Sequence, residues 1–339
     1  MQTSDELSGW LGRKRWLKEG IALEDVVGDL WCRWNEPHRR WHDKRHLFRL
    51  LDEAESAPEE LRFPLGLAIA FHDAVYDPRR SDNEALSAQL FLSYAALDDA
   101  SEQEAIVAAI EDTASGVARN SLSEALLEMD RRILRSTSLE ELMAWEAGIA
   151  AEYQRFSWPE YVAGRTRFLR ENGLSELARH VETRRPRIGI YAGSFDPFHQ
   201  GHLDILLRAE NLFDKVIVAV GINPDKKAGS VEERLDRVRR TLPFHEVRGF
   251  SGLLTDLVQM VGAYADATVV RGLRDGYDLQ QEINQARFLE DLLPDIRTVW
   301  IPCDRRSQHV SSTAIRALQK FGAEQAGEYL PDRFAYARA

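Results

Sequence analysis

The sequence predicts two domains, an all-α half followed by an α/β half built on a parallel sheet. At 339 residues the chain exceeds the usual single-domain size. Before residue 184 the apolar spacing is helical, whereas after Arg184-Arg185-Pro186 short β-branched runs alternate with helical segments. Trp10, Trp16, Trp31, Trp34, Trp41, Trp145 and Trp158 precede residue 160, and only Trp300 follows. The expected domains are therefore 1–183 and 187–339, with Pro186 and its basic neighbours as the linker.

In the first half, Leu65-Gly-Leu-Ala-Ile-Ala-Phe71 is a continuous apolar run and Ala105-Ile-Val-Ala-Ala-Ile110 reads as a buried helix face. No alternating strand pattern is found there. In the second half, strands are expected at Ile188–Tyr191, Val216–Val220, Ala267–Val270 and Thr298–Ile301. A helix is expected from about Gly201, because Leu203-Asp-Ile-Leu-Leu-Arg-Ala209 has helical apolar spacing. Another should start after the serines of Val310-Ser-Ser-Thr-Ala-Ile-Arg316, with Ile315 and Leu318 turned inward.

Apolar residues make up 44% and charged residues 29%, as in ordinary folded proteins. A net charge of -11 argues against broad nucleic-acid binding, which needs a basic face. Cys32 and Cys303 fall in different halves, so reduced thiols are expected rather than a disulfide framework. The charged N-terminus is unlike a signal peptide, and no run approaches the ~20 apolar residues that cross a bilayer. A soluble, cytoplasmic protein without a membrane partner is the expectation.

The segment Tyr191-Ala-Gly-Ser-Phe-Asp-Pro-Phe-His-Gln-Gly-His202 follows the first expected strand directly. A strand, a glycine-containing turn and a helix start gather backbone N–H groups around phosphate. Gly193 and Gly201 permit close backbone approach, and His199 and His202, three apart, can face one mouth. An imidazole there can donate to a phosphoryl oxygen as charge develops during transfer. Ser311, Ser312 and Thr313 stand at a helix start, where hydroxyls and free N–H groups suit the outer phosphates of ATP. Arg271-Gly-Leu-Arg274 follows a strand at its carboxyl end, the ligand-binding edge of α/β folds, and Lys226-Lys227 adds cations at the same edge.

Together these segments resemble phosphopantetheine adenylyltransferase, of the His-x-Gly-His nucleotidylyltransferase superfamily. The resemblance runs from about Arg187 to Phe334 through GSFDPFHQGHLDI, NPDKK, FSGLLTD, RGLRDGYDLQQE and VSSTAIR. It implies a Rossmann-like domain that joins the adenylyl group of ATP to 4′-phosphopantetheine, giving dephospho-coenzyme A and pyrophosphate, with Mg²⁺ accompanying ATP. It further implies catalytic roles for His202, Lys226, Ser194 and Arg271. The nucleotide would be held by Gly193, Ser194, Phe195, His199, His202, Arg274, Glu282, Ser311, Ser312 and Thr313. Family members form homo-oligomers, so self-association is expected. Another phosphorylated acceptor, such as nicotinamide mononucleotide, is the alternative. Two departures stand out: Ala192 replaces a usual proline, and Arg305-Arg-Ser-Gln-His309 lacks the aromatic character common before the serine motif.

His38, His42, His46 and His72 crowd the first half, with His42 and His46 spaced to share a helix face. His72-Asp73 closes an apolar helix, and Asp130 lies further on. Two histidines and two aspartates suit a divalent ion such as Mn²⁺, Fe²⁺, Ni²⁺ or Mg²⁺. The strings around His38–His46, Phe71-His-Asp73 and Asp82-Asn-Glu84 resemble predicted HD-type metal-dependent phosphohydrolases over residues 8 to 180. That resemblance implies an HD-type helical domain with His46, His72, Asp73 and Asp130 as metal ligands. His42 and Asn83 would be second-layer or substrate groups. Ala114-Ser-Gly116 stands where the family often has a further histidine, which favours one ion over two. A non-catalytic regulatory or oligomerisation module is the alternative.

Overall fold

The computed structural model describes residues 3–221 and 229–331, without the side chains of 229–231. The chain divides into two compact units, Met1–Glu152 and Tyr153–Arg338. The boundary expected at 183 thus falls inside the second unit.

The first unit is helical, with helices Ser4–Leu11, Leu23–Trp34, Lys44–Ala54, Glu59–Phe71, Asn83–Tyr94, Ala100–Ser115, Ser121–Asp130 and Leu139–Glu152. Its axis is Glu59–Phe71, in which every residue from Phe63 to Phe71 is buried. A helix apolar on all sides must be surrounded by others. The early tryptophans supply much of this core: Trp16 stacks on Phe91 at 6.2 Å and meets Phe71 edge-on at 5.9 Å. Their polar edges are satisfied, since the Trp16 indole donates to the Leu11 carbonyl at 2.8 Å and that of Trp34 to Ala70 at 3.0 Å. Among the described residues of this unit the only extended pairing is one bridge, Leu17 to Ala95.

The second unit opens with helices Trp158–Glu171 and Ser175–Thr183, then alternates strands and helices. The strands are β1 (Arg187–Gly193), β2 (Lys215–Gly221), β3 (Glu246–Phe250), β4 (Asp266–Leu273) and β5 (Thr298–Pro302). All pairs are parallel and the spatial order is β3-β2-β1-β4-β5. Residues Lys215 to Val220 of β2 are buried without interruption, as expected of a parallel strand covered on both faces. The expected strands are present with one addition. The edge strand β3, Glu-Val-Arg-Gly-Phe, has no β-branched run, since Arg248 and Gly249 interrupt it.

Lys215, the first residue of β2, is 4% exposed and 3.0 Å from Glu246. Its ammonium also donates to the carbonyls of Gln154 and Phe156. Gln154 in turn donates its amide to the Asp214 carbonyl at 3.0 Å. These bonds fasten the segment after Tyr153 to the start of the central sheet.

Candidate active site and candidate metal centre

The chain moves outward in opposite directions from β1, to β2 on one side and to β4 on the other. Such a switch point opens a crevice at the carboxyl ends of the strands. A cleft of about 420 Å³ lies there, walled by the ends of β1 and β4 and by the first turns of three helices. From β1 and its turn come Gly193, Ser194 and Phe195; from helix Gln200–Glu210 and its cap come His199 and His202. β4 contributes Arg271, and the residue directly after β4 is Arg274; helix Gly276–Leu292 contributes Glu282, and helix Ser312–Lys320 with its cap contributes Ser311, Ser312 and Thr313. Lys226 lies outside the described residues.

The turn between β1 and the first helix is tightly specified. Phe195 has a left-handed φ of 46°, unusual for a bulky residue, and its ring packs beneath Gly193. A Cβ on Gly193 would lie 2.9 Å from that ring. Phe195 is 2% exposed, so although it borders the cleft its ring belongs to the floor rather than to the nucleotide surface.

His199 caps the helix, and its backbone N–H donates to Nδ1 of His202 at 3.2 Å. A nitrogen that accepts a hydrogen bond carries no proton, so neutral His202 keeps its proton on Nε2. Burial, helped by His199 and Arg274, holds the pKa of His202 well below the ordinary value. Burial together with Arg274 lowers His199 to about 4. The cleft therefore offers a neutral N–H donor beside the open N-termini of two helices.

The arginines are already engaged. Arg271 forms a fork with Glu282, at 2.5 and 2.8 Å, and donates to the Ala192 carbonyl at 2.8 Å and to Gln285 at 2.8 Å. It thus ties β4 to β1 across the switch point. Asp278 holds Arg274 through two bonds of 2.8 and 2.9 Å. The serine motif is also partly structural: Ser311 accepts from the Ala314 N–H at 3.2 Å, and the Ser312 hydroxyl donates to the Pro197 carbonyl at 3.0 Å. That second bond locks the two cleft-lining turns together. Asp278 and Gln285 did not stand out in the sequence, because a polar residue one or two turns along a helix has no distinctive pattern.

In the first unit one ligand atom each from His46, His72 and Asp130 lie within 4.8 Å of one another. His46 Nε2 is 3.1 Å from Asp130, and His72 Nε2 is 3.1 Å from Asp73. Both Nε2 atoms are buried and face those carboxylates without a well-aligned hydrogen bond, an arrangement whose donor set fits a divalent cation. His72 Nδ1 donates to the Ile69 carbonyl at 2.8 Å, which leaves Nε2 as a lone pair. Burial lowers the pKa of His46, whereas at His72 the carboxylate of Asp73 overcomes burial and raises it. One contact opposes this pattern: Arg49 donates to Nδ1 of His46 at 3.1 Å and would have to turn aside for that ring to bind an ion as a neutral imidazole.

His42 and His46 do not share a helix face. Asp43 caps helix Lys44–Ala54 by accepting from the Arg45 N–H at 2.8 Å, so His42 lies before the helix. It meets Glu152 instead, whose carboxylate is 2.7 Å from its Nδ1. Burial alone would lower His42, but the Glu152 charge raises it to about 9; burial would raise Glu152, which His42 and backbone donors hold at about 2. Asn83 holds the turn at Asp77, because both ends of its amide bond the backbone of that residue, at 3.1 and 3.0 Å.

A cytidylyltransferase-like family model matches residues 190–318. A phosphopantetheine adenylyltransferase of Clostridium tetani is 40% identical over 139 residues, 40% of this chain and 85% of that protein. One from Porphyromonas gingivalis is 41% identical over 154 residues, 43% of this chain and 95% of its own length. A solved bifunctional NMN adenylyltransferase/ADP ribose pyrophosphatase from Francisella tularensis covers 43% of this chain and 44% of its own at 16% identity. Its TM-score of 0.31 is too low to bear on the fold. Through its C-terminal half the chain belongs to the phosphopantetheine adenylyltransferase family, and that half is a nucleotidyltransferase domain.

Proposed function

We propose that the C-terminal half transfers the adenylyl group of ATP to 4′-phosphopantetheine, giving dephospho-coenzyme A and pyrophosphate. A phosphate oxygen of the acceptor forms a bond to the α-phosphorus of ATP. The bond from that phosphorus to the bridging oxygen breaks, and its electron pair leaves with pyrophosphate. His202 donates through Nε2 to the crowded α-phosphoryl group, while Ser194 and the N–H groups of the two helix starts hold phosphate oxygens. Arg271 and Lys226 place the attacking phosphate; His199, Arg274, Glu282 and the Ser311–Thr313 turn surround ATP. Mg²⁺ brought with ATP neutralises the polyphosphate.

The main support is His202: its tautomer is fixed by the His199 N–H, and it faces a switch-point cleft where anions are favoured. Pyrophosphate release measured side by side with phosphopantetheine and nicotinamide mononucleotide tests the reading. Faster turnover of the nucleotide would transfer the assignment to that acceptor.

For the N-terminal unit we propose a single divalent ion held by His46, His72 and Asp130 with Asp73 beside them, serving phosphoester hydrolysis. The support is the pair of buried Nε2 atoms facing carboxylates. Such an ion would supply a water of lowered pKa and polarise a phosphoryl oxygen. Elemental analysis of the purified chain tests it.

A further inference from the structure

Glu152 ends helix Leu139–Glu152 and is 1% exposed. A buried carboxylate is tolerated only when donors surround it. Oε1 accepts the consecutive backbone N–H groups of Arg40, Trp41 and His42, at 2.8, 2.7 and 2.8 Å. Oε2 accepts the Tyr76 hydroxyl at 2.7 Å and lies 2.7 Å from Nδ1 of His42. Five donors leave this carboxylate no direction in which to bind a metal ion, so its effect is exerted through what it holds.

What it holds is His42. A carboxylate facing Nδ1 keeps a proton on that nitrogen, which fixes the ring's rotation as well as its place in the chain. The ring stands edge-on to His46, with centroids 5.8 Å apart, and packs on Tyr76 at 4.6 Å. Its Nε2 has no hydrogen-bond partner among the described residues, and the side chain is 22% exposed. A ring nitrogen with nothing to bind thus stands beside the His46–His72–Asp130 group, aimed by a carboxylate far away in sequence.

We infer that Glu152 is a positioning residue of the N-terminal site, holding His42 so that Nε2 meets an oxygen of a phosphate bound at the His46–His72–Asp130 group. This rests on the divalent-ion reading above. A purely structural role, fastening the 40–42 loop, predicts different behaviour.

The test uses the full chain with one equivalent of Mn²⁺ and inorganic phosphate as probe, read by ³¹P relaxation. Paramagnetic relaxation falls steeply with distance, so phosphate bound elsewhere does not contribute. Glu152→Gln and His42→Ala should each keep Mn²⁺ affinity within about twofold, since neither removes a ligand. Each should weaken phosphate binding by about tenfold or more, the scale of one charged hydrogen bond. The double variant should lose no more than His42→Ala alone.

Phosphate binding in His42→Ala equal to wild type overturns the inference, and so do additive losses. Loss of Mn²⁺ in Glu152→Gln with phosphate binding intact in His42→Ala shows loop fastening only, which also overturns it. If Glu152→Gln folds poorly, Glu152→Asp, which keeps the charge and shortens the reach, takes its place, and wild-type phosphate binding in either Glu152 variant overturns the inference. A wild-type chain that takes up no Mn²⁺ defeats the ion reading instead, a result distinct from Mn²⁺ bound with phosphate indifferent to both variants.

Discussion

The backbone N–H of His199 donates to Nδ1 of His202 across 3.2 Å, and the two rings stack with centroids 3.6 Å apart. The first histidine of the motif therefore sets the tautomer of the second. Substituting His202 by Ala removes the Nε2 donor while leaving the backbone turn in place. The expected loss in kcat is about 100- to 1000-fold, the cost of deleting one oxyanion-type donor, with KM for ATP changed far less. Steady-state pyrophosphate release checks it. An unaltered kcat would remove His202 from the reaction.

The same pair predicts a pH signature. Both imidazoles have folded pKa values below the ordinary one, His199 at about 4. Between that value and about 6.5 the unfolded chain binds protons that the folded chain refuses, so stability rises with pH through this window. It is fully present above about 6.5 and declines as pH falls toward 4. Wild-type melts should lose Tm more steeply than those of His199→Gln/His202→Gln as pH falls from about 6.5 to 4, and parallel curves would refute the assignment. Activity attributable to His202 should not titrate near neutrality.

Arg271 bridges β4 to β1 through the Ala192 carbonyl while its fork is matched by Glu282. Lysine cannot reproduce that planar fork. Arg271→Lys is expected to raise KM for the phosphorylated acceptor about tenfold, and Arg271→Ala by more and with a lower Tm, because Glu282 is left half-buried and unpaired. Acceptor titrations at saturating ATP, with melts alongside, separate the two effects. Equal KM values for wild type and Arg271→Lys would mean that the side chain is structural only.

The sheet and its cleft were largely legible in the sequence because parallel strands buried on both faces leave uninterrupted β-branched runs, and because helix starts bear capping hydroxyls. Strand β3 escaped because Arg248 and Gly249 break its apolar pattern. The helical register assumed for His42 failed because Asp43 stops the helix by capping it, a choice between two local patterns that spacing alone does not decide. Glu152 was invisible for a different reason. It stands 110 residues from His42, and nothing in an amphipathic helix marks which glutamate will be buried.

Arg49 gives the proposed metal centre an unusual prediction. It donates to the very nitrogen of His46 that should be protonated when Nε2 binds an ion. Removing it, as Arg49→Ala, should tighten Mn²⁺ binding, whereas His72→Ala and Asp130→Asn should abolish stoichiometric uptake. Calorimetric titration with Mn²⁺ reads all three. Saturating Mn²⁺, at about 100 times its dissociation constant, should stabilise the wild-type N-terminal unit by about 2.7 kcal/mol. Weaker binding in Arg49→Ala would place the ion elsewhere.

Where the chain can be cut follows from Lys215. Its ammonium gathers the carbonyls of Gln154 and Phe156 at the mouth of the central strand, and the helices after them bury Trp158, Tyr161, Leu177 and Val181. A transferase fragment begun at Arg187, where the β-branched pattern first shows, would shed those partners and bare apolar surface. One begun at Tyr153 would keep those carbonyls on Lys215 and should melt at the higher temperature. The catalytic module is thus some thirty residues longer than its motifs suggest, and the surplus is scaffolding rather than connector.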